Sequence, residues 1–227
     1  MEYLRKLSDQ EINEYKLFLK NNDFLLIKNI LLPSAIMNFN NNIEFGKPLD
    51  ELQFGRQHNL KNNSQKICND YHIESFKLYK QIIGEEYYPT YTFAMKYNKN
   101  NECIPHLDLV QNELSATTCY SAEKNYPIYI SKQFMDNNYK ERYSEDPTNI
   151  KDDDIIEINI EVGDIGFFNG RNHLHFRKKL NENINYRAIL THYSKTIENS
   201  EEWIKKTKDS VQYLNSNGGP IYHRSFT

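Results

Sequence analysis

The residues best able to do chemistry gather in two short stretches. One is Pro105-His106-Leu107-Asp108 and the other is His173-Leu174-His175. Both lie in runs that read as β-strands, where residues i and i+2 project to the same side. His106 and Asp108 can therefore reach one point in space, and so can His173 and His175. Two imidazoles and a carboxylate on one face of a metal form the facial triad of oxygen-activating non-haem iron sites, which leaves coordination positions open. His106, Asp108 and a histidine of the second pair are thus the candidate metal ligands and the candidate catalytic centre. An H-x-D pair on its own is a weak signal, because a strand-end histidine bonded to its neighbouring aspartate accounts for it equally well.

Order along the chain strengthens the signal. Gly163-Asp164-Ile165-Gly166-Phe167-Phe168-Asn169-Gly170 reads as turn, strand and turn, and it delivers His175. Arg187 follows inside the strand Tyr186-Arg187-Ala188-Ile189-Leu190. A planar guanidinium pairs with a carboxylate through two parallel hydrogen bonds. The alternative for Arg187 is a surface arginine on an edge strand.

With these residues in place the chain resembles the iron(II)/2-oxoglutarate-dependent oxygenases, in particular their prolyl-4-hydroxylase-like branch. Members place a tyrosine one strand before the first ligand, then H-x-D, a G-D turn, the distal histidine and a basic residue in a late strand. Tyr97, His106, Asp108, Gly163-Asp164, His175 and Arg187 stand in that order here. Gly170 with His175-Phe176-Arg177 resembles the G-x4-H-W-R form of some members, and Thr191-His192-Tyr193 resembles their closing L-H-Y. The match spans about residues 91–193. Its register favours His175 as the distal ligand. His173 stays open as the alternative, or else lies behind the ligands or toward the substrate.

The resemblance implies Fe(II), 2-oxoglutarate and O2 as the reaction partners, with ascorbate as an optional reductant. It implies Arg187 as the partner of the far carboxylate of 2-oxoglutarate and Tyr97 as a hydroxyl donor to the same molecule, although Tyr97 also reads as a core residue. Related halogenases replace the carboxylate ligand by a small residue. Asp108 therefore favours hydroxylation, or another oxidation, over chlorination. There are two departures from the family pattern. Asn100 stands where a glycine is common, and Phe176 stands where a tryptophan is common. Arg177 has no assigned role; it can meet the co-substrate, the substrate or Asp164. Thr117 and Cys119 face the expected site or serve only packing.

The elements that must position these groups are legible in part. Ser8 and Glu11 make a capping box for a helix over 8–21, with Ile12, Tyr15 and Leu19 on its apolar side. Phe24–Ile27 reads as a strand, and a short helix follows Pro33-Ser34. Residues 38–70, rich in Asn and Lys, read as loop. Residues 72–83 return to helical spacing through Ile73, Phe76, Tyr79 and Ile83. From about residue 89 eight short strand-like runs follow one another, at 91–97, 104–110, 114–120, 128–130, 155–160, 165–168, 174–176 and 186–193. That series predicts a mainly β fold with flanking helices, built on a double-stranded β-helix of the jelly-roll or cupin-like kind. Beyond Lys195 the pattern is helical again, with Trp203, Thr207, Val211 and Leu214 on one face. The expected organisation is a single domain. Residues 1–88 support it, residues 89–195 form the catalytic core, and residues 196–227 form a C-terminal helix and tail.

Bulk properties narrow the function further. The chain has 227 residues, enough for a sizeable core. A net charge of −3 gives no electrostatic reason to expect a nucleic acid or an anionic membrane. Cys68, Cys103 and Cys119 form neither a disulfide framework nor a zinc pattern. There is no signal-like start and no apolar run near the ~20 residues of a membrane span. A reducing cytoplasm is the expected setting, and a small molecule, with amino-acid-like compounds among the candidates, is the expected substrate. The rival readings are desaturation, cyclisation or epimerisation at the same site, a peptidyl substrate on a protein partner, and a cupin-like barrel that binds metal without catalysis.

Overall fold

The computed structural model describes residues 2–46, 60–61, 63–84, 86–109, 112–135 and 151–196. The strands form two antiparallel sheets. One has the order β1-β7-β4-β9-β2, and the other has the order β3-β8-β5-β6. Here β1 is Phe24–Ile27, β2 Tyr88–Tyr97, β3 Cys103–His106, β4 Leu114–Ala122, β5 Ile128–Phe134, β6 Ile155–Ile158, β7 Ile165–Phe168, β8 His173–Arg177 and β9 Tyr186–Ser194. Strands from both sheets line one interior cavity, as in a jelly roll.

Among the described residues, three helices brace the larger sheet: α1 (Asp9–Asn22), α2 (Pro33–Asn42) and α3 (Ser64–Ile83). They contact β1, β4 and β2 respectively. The capping box at Ser8 and Glu11 is present, with both reciprocal hydrogen bonds made. Alternation along the strands sorts the core into an interior and a helix-facing layer. Met95, Tyr97 and Ala188 belong to the interior cluster with Ile128, Ile130 and Phe168. Their neighbours Ala94 and Ile189 face the other way and pack with Phe39, Cys68, Tyr71 and Tyr120.

Two parts of the expected loop at 38–70 are helical instead. Helix α2 runs on to Asn42, and α3 begins at Ser64. Composition hid both. Phe39 is fully buried beneath Tyr3, Tyr71 and Tyr120, and Cys68 and Tyr71 are buried on α3. The asparagines between these anchors do not break the helix. Asn40 and Asn42 each donate to a carbonyl one turn back, and Asn40 also reaches the Tyr120 carbonyl at 3.0 Å. Tertiary burial overrides their weak helix propensity.

Two turns complete the scaffold. Asn100 sits at φ 71°, between β2 and β3, which explains how it can stand where glycine is common. Asparagine is among the few residues that tolerate the left-handed region. Gly163, at φ 96°, turns the chain into β7, and its carbonyl accepts from the amides of Ile30 and Leu31. Asp164 then accepts from the amides of Asn29 and Glu161, which ties the turn to the segment after β1. The expected helix around Trp203 lies outside the described residues. No helix among the described residues is long and apolar enough to cross a membrane.

Candidate active site

Register pairing between β3 and β8 sets His106 directly opposite His175. Asp108 follows β3, and its amide donates to the Gly170 carbonyl at 2.8 Å, which anchors the aspartate beside the turn into β8. His106, Asp108 and His175 form one group whose ligand atoms all lie within 4.8 Å of one another. Asp108 Oδ1 is 3.9 Å from His106 Nε2 and 3.6 Å from His175 Nε2. Each imidazole spends its Nδ1 on a backbone carbonyl, that of Ile104 for His106 (2.8 Å) and that of His173 for His175 (3.1 Å). Carbonyls only accept, so each Nδ1 carries a hydrogen, and each Nε2 is the ring atom turned toward the carboxylate.

The protonation states suit a cation. Burial opposes charge on Asp108, but His175, His192 and His106 and the Ser115 hydroxyl outweigh it and hold the carboxyl near about 2. Burial, reinforced by His106, pushes His175 below the usual imidazole range. An ionised carboxylate beside a neutral His175 is the ligand state that divalent metals need. The donor set therefore fits a first-row ion such as iron.

His173 is placed elsewhere. Its Nδ1 contacts the Ser131 carbonyl at 2.8 Å, and its Nε2 lies 3.8 Å from Asp23 on the rim. It neither joins the ligand group nor lines the cavity.

The triad stands in the wall of a cavity of about 120 Å³. That is room for a few water-sized groups. Tyr91, Phe93, Met95 and Tyr97 of β2 and Ala188, Leu190 and His192 of β9 line it, with Phe168, Thr117 and Arg177. Thr117 thus does face the site, whereas Cys119 does not line the cavity and packs in the interior cluster.

The structure places the two arginines on opposite sides of the cavity wall, Arg187 behind it and Arg177 in it. Arg187 does not line the cavity. It alternates with Ala188, Leu190 and His192, so it shares the face of Ile189, which packs toward α2 and α3. Its cross-strand neighbours are Lys96 and Ser121. An offset of one residue in a strand moves a side chain to the opposite face of the sheet. Arg177 is two residues beyond His175 on β8 and is buried in the cavity wall. Its guanidinium lies 4.5 Å from the ring centre of Tyr186, 5.1 Å from Tyr126 and 5.6 Å from Tyr97. It donates to the Tyr126 carbonyl and to the Tyr186 hydroxyl. Among the described residues no carboxylate pairs with it, and Asp164 is occupied by backbone amides. The signal was present in the sequence, because residues i and i+2 of one strand share a side and β8 holds both His175 and Arg177.

Three further groups meet at Asp108; Ser115 has no signal in the sequence, and Gly170 and His192 read there only as parts of motifs, with no role at the carboxylate. Ser115 of β4 donates its hydroxyl to Asp108 Oδ2. His192 of β9 contacts Ser115 Oγ through Nδ1 at 2.9 Å. Gly170 packs against the same carboxylate.

No protein-family model matches the sequence, and no curated protein sequence matches it. Solved structures share its fold at low identity. HygX from Streptomyces hygroscopicus, with nickel, 2-oxoglutarate and hygromycin B bound, aligns at a TM-score of 0.59 and 9% identity, over 83% of this chain and 87% of that one. The non-haem α-ketoglutarate-dependent carbocyclase SnoK from nogalamycin biosynthesis aligns at 0.57 and 14% identity, over 85% and 86%. A Pseudomonas putida prolyl-4-hydroxylase aligns at 0.53 and 11% identity, over 81% and 98%. The chain has the jelly-roll fold of these enzymes.

Proposed function

We propose that this protein is an iron(II)/2-oxoglutarate-dependent oxygenase that oxidises a small molecule, with hydroxylation as the outcome. The observation that carries this reading is the pairing of two groups on β8. His175 belongs to a metal-ligand set, and Arg177, two residues on, is a buried cation in the same cavity with no acidic partner among the described residues. Residues i and i+2 of a strand are roughly 7 Å apart. A short dicarboxylate that chelates a metal at one end suits that spacing at its other end. A barrel that merely stores metal has no use for the buried guanidinium.

In this reading His106, Asp108 and His175 hold the iron. Arg177 takes over the role expected of Arg187 and binds the far carboxylate of 2-oxoglutarate, with Tyr97 beside it. A buried charge is costly until paired, so the tyrosine rings and the Tyr126 carbonyl keep the guanidinium tolerable before the co-substrate arrives. The apolar walls from Phe93, Met95, Phe168 and Leu190 exclude water from the reacting centre. Bound iron supplies dioxygen activation, coupled to oxidative decarboxylation of 2-oxoglutarate to succinate and CO2. HygX, with hygromycin B in its structure, supports a small-molecule substrate, and SnoK shows that a carbocyclase shares the fold.

The test is succinate formation with Fe(II), 2-oxoglutarate, O2 and ascorbate, alongside metal content and anaerobic 2-oxoglutarate binding. Wild type is expected to bind both partners and release succinate, and His106→Ala is expected to lose iron and succinate together. Unchanged metal content in His106→Ala, with no succinate from either protein, sinks the reading.

A further inference from the structure

We propose that Gly170, Ser115 and His192 form a seat that dictates which oxygen of Asp108 faces the metal. The proposal rests on the metal reading above and concerns this chain's own residues. The two carboxylate oxygens are not equivalent. Oδ1 faces both imidazole Nε2 atoms, at 3.9 and 3.6 Å, while Oδ2 accepts the Ser115 hydroxyl.

The hydrogen inventory extends the chain by one residue. A serine has a single hydroxyl hydrogen. Ser115 gives it to Asp108, so its 2.9 Å contact with His192 requires the hydrogen of His192 Nδ1. His192 is thereby the donor that orients the serine. Its ring is held in turn against Tyr91, with ring centres 4.4 Å apart. A nucleophilic serine triad needs the imidazole between serine and carboxylate. Here the serine stands between them, so the arrangement positions the carboxylate and activates no nucleophile.

Gly170 supplies the floor. A Cβ at this position would collide with Asp108 Oδ2 and stand 2.9 Å from Ser115 Oγ. The same glycine's carbonyl holds the Asp108 amide. Backbone and side chain of the ligand are thus gripped from one place. With Oδ2 engaged, Asp108 would offer a bound metal a single oxygen, Oδ1.

The experiment measures Co(II) affinity by calorimetry and the Co(II) visible spectrum on the full chain. Ser115→Ala and His192→Phe are each expected to weaken Co(II) binding about 10–100-fold and to alter the spectrum. Combined, they are expected to cost no more than Ser115→Ala alone, because they act in one line. His192→Asn, whose amide can donate where Nδ1 did, and Ser115→Thr, which keeps the hydroxyl, should return to near wild-type affinity and spectrum. Ser115→Thr against Ser115→Ala decides the matter even where a change at His192 prevents folding. Wild-type affinity and spectrum in Ser115→Ala overturn the seat while leaving the metal reading intact. A wild-type chain that binds no Co(II) overturns both.

Discussion

Strand β9 carries two different environments on its two faces. Ala188, Leu190 and His192 look into the cavity, beside the triad and Arg177. Ile189 and Tyr193 look toward the helices, into layers built from Phe39, Tyr71, Tyr79, Ile82 and Phe167. The helix-facing layer is dominated by ring-on-ring contact. Tyr3, Phe39, Tyr71 and Tyr120 pack with centres 5.3 to 5.7 Å apart. Its hydroxyls also close on one another, Tyr71 meeting both Tyr79 and Thr118 at 2.8 Å. The cavity face instead gathers ligating and charged groups whose remaining valences point at one another or at the cavity. One face is spent on stability, and the other keeps groups in reserve for a ligand. Function held against stability in this way is a common division in enzymes.

The comparison breaks if a substitution on one face produces the other face's phenotype. The largest effect is expected from Phe39→Ala, which empties a fully buried site in the aromatic layer. It should cost about 3–5 kcal/mol of unfolding free energy. Denaturant titration should show that loss, while Co(II) affinity of the folded protein stays near wild type.

Next come the two arginines. Arg177→Met should weaken 2-oxoglutarate binding about 100-fold, as expected for loss of a buried charge partner. Arg187→Met should change it less than about 3-fold, because that side chain is on the far face of the sheet. Anaerobic calorimetry with metal-loaded protein reads both. The reverse ranking would restore Arg187 as the anchor and undo the face assignment.

The last effect concerns acid, and it is small per pH unit. His72 on α3 is buried against Tyr193, and burial, with some help from His192, pushes its imidazole down to about 3. Its unfolded value is near 6.5. Between those values the unfolded chain binds a proton that the folded chain refuses. Stability from His72 is therefore fully present above about pH 6.5 and is lost as pH falls toward 3. His72→Phe should flatten this acid limb by up to about 1.4 kcal/mol per pH unit in metal-free protein. An unchanged slope, measured by chemical denaturation between pH 6.5 and 4, would show that His72 is not held neutral.

The local periods of the chain sufficed for much of this. Strand alternation at His106 and Asp108, the capping box at Ser8 and Glu11, and the run of short strands from residue 89 are all short-range features. They are written into neighbouring residues, which is why the jelly roll and two of the three candidate ligands were legible. Alternation could not choose between His173 and His175, since both share a face. The β3–β8 register separates them, by setting His175 across from His106 as the candidate ligand. Likewise, Arg187 had the right residue type in the right strand, but sheet pairing decided which face it occupied. Ser115, Gly170 and His192 come from three distant parts of the chain, and no local pattern joins them to Asp108. They meet only because β4, β9 and the turn before β8 are packed around one carboxylate. Sequence determined which groups were available to do chemistry, because side-chain type and strand period are local. Tertiary structure decided which of them point at the same small volume, because strand pairing and packing are not.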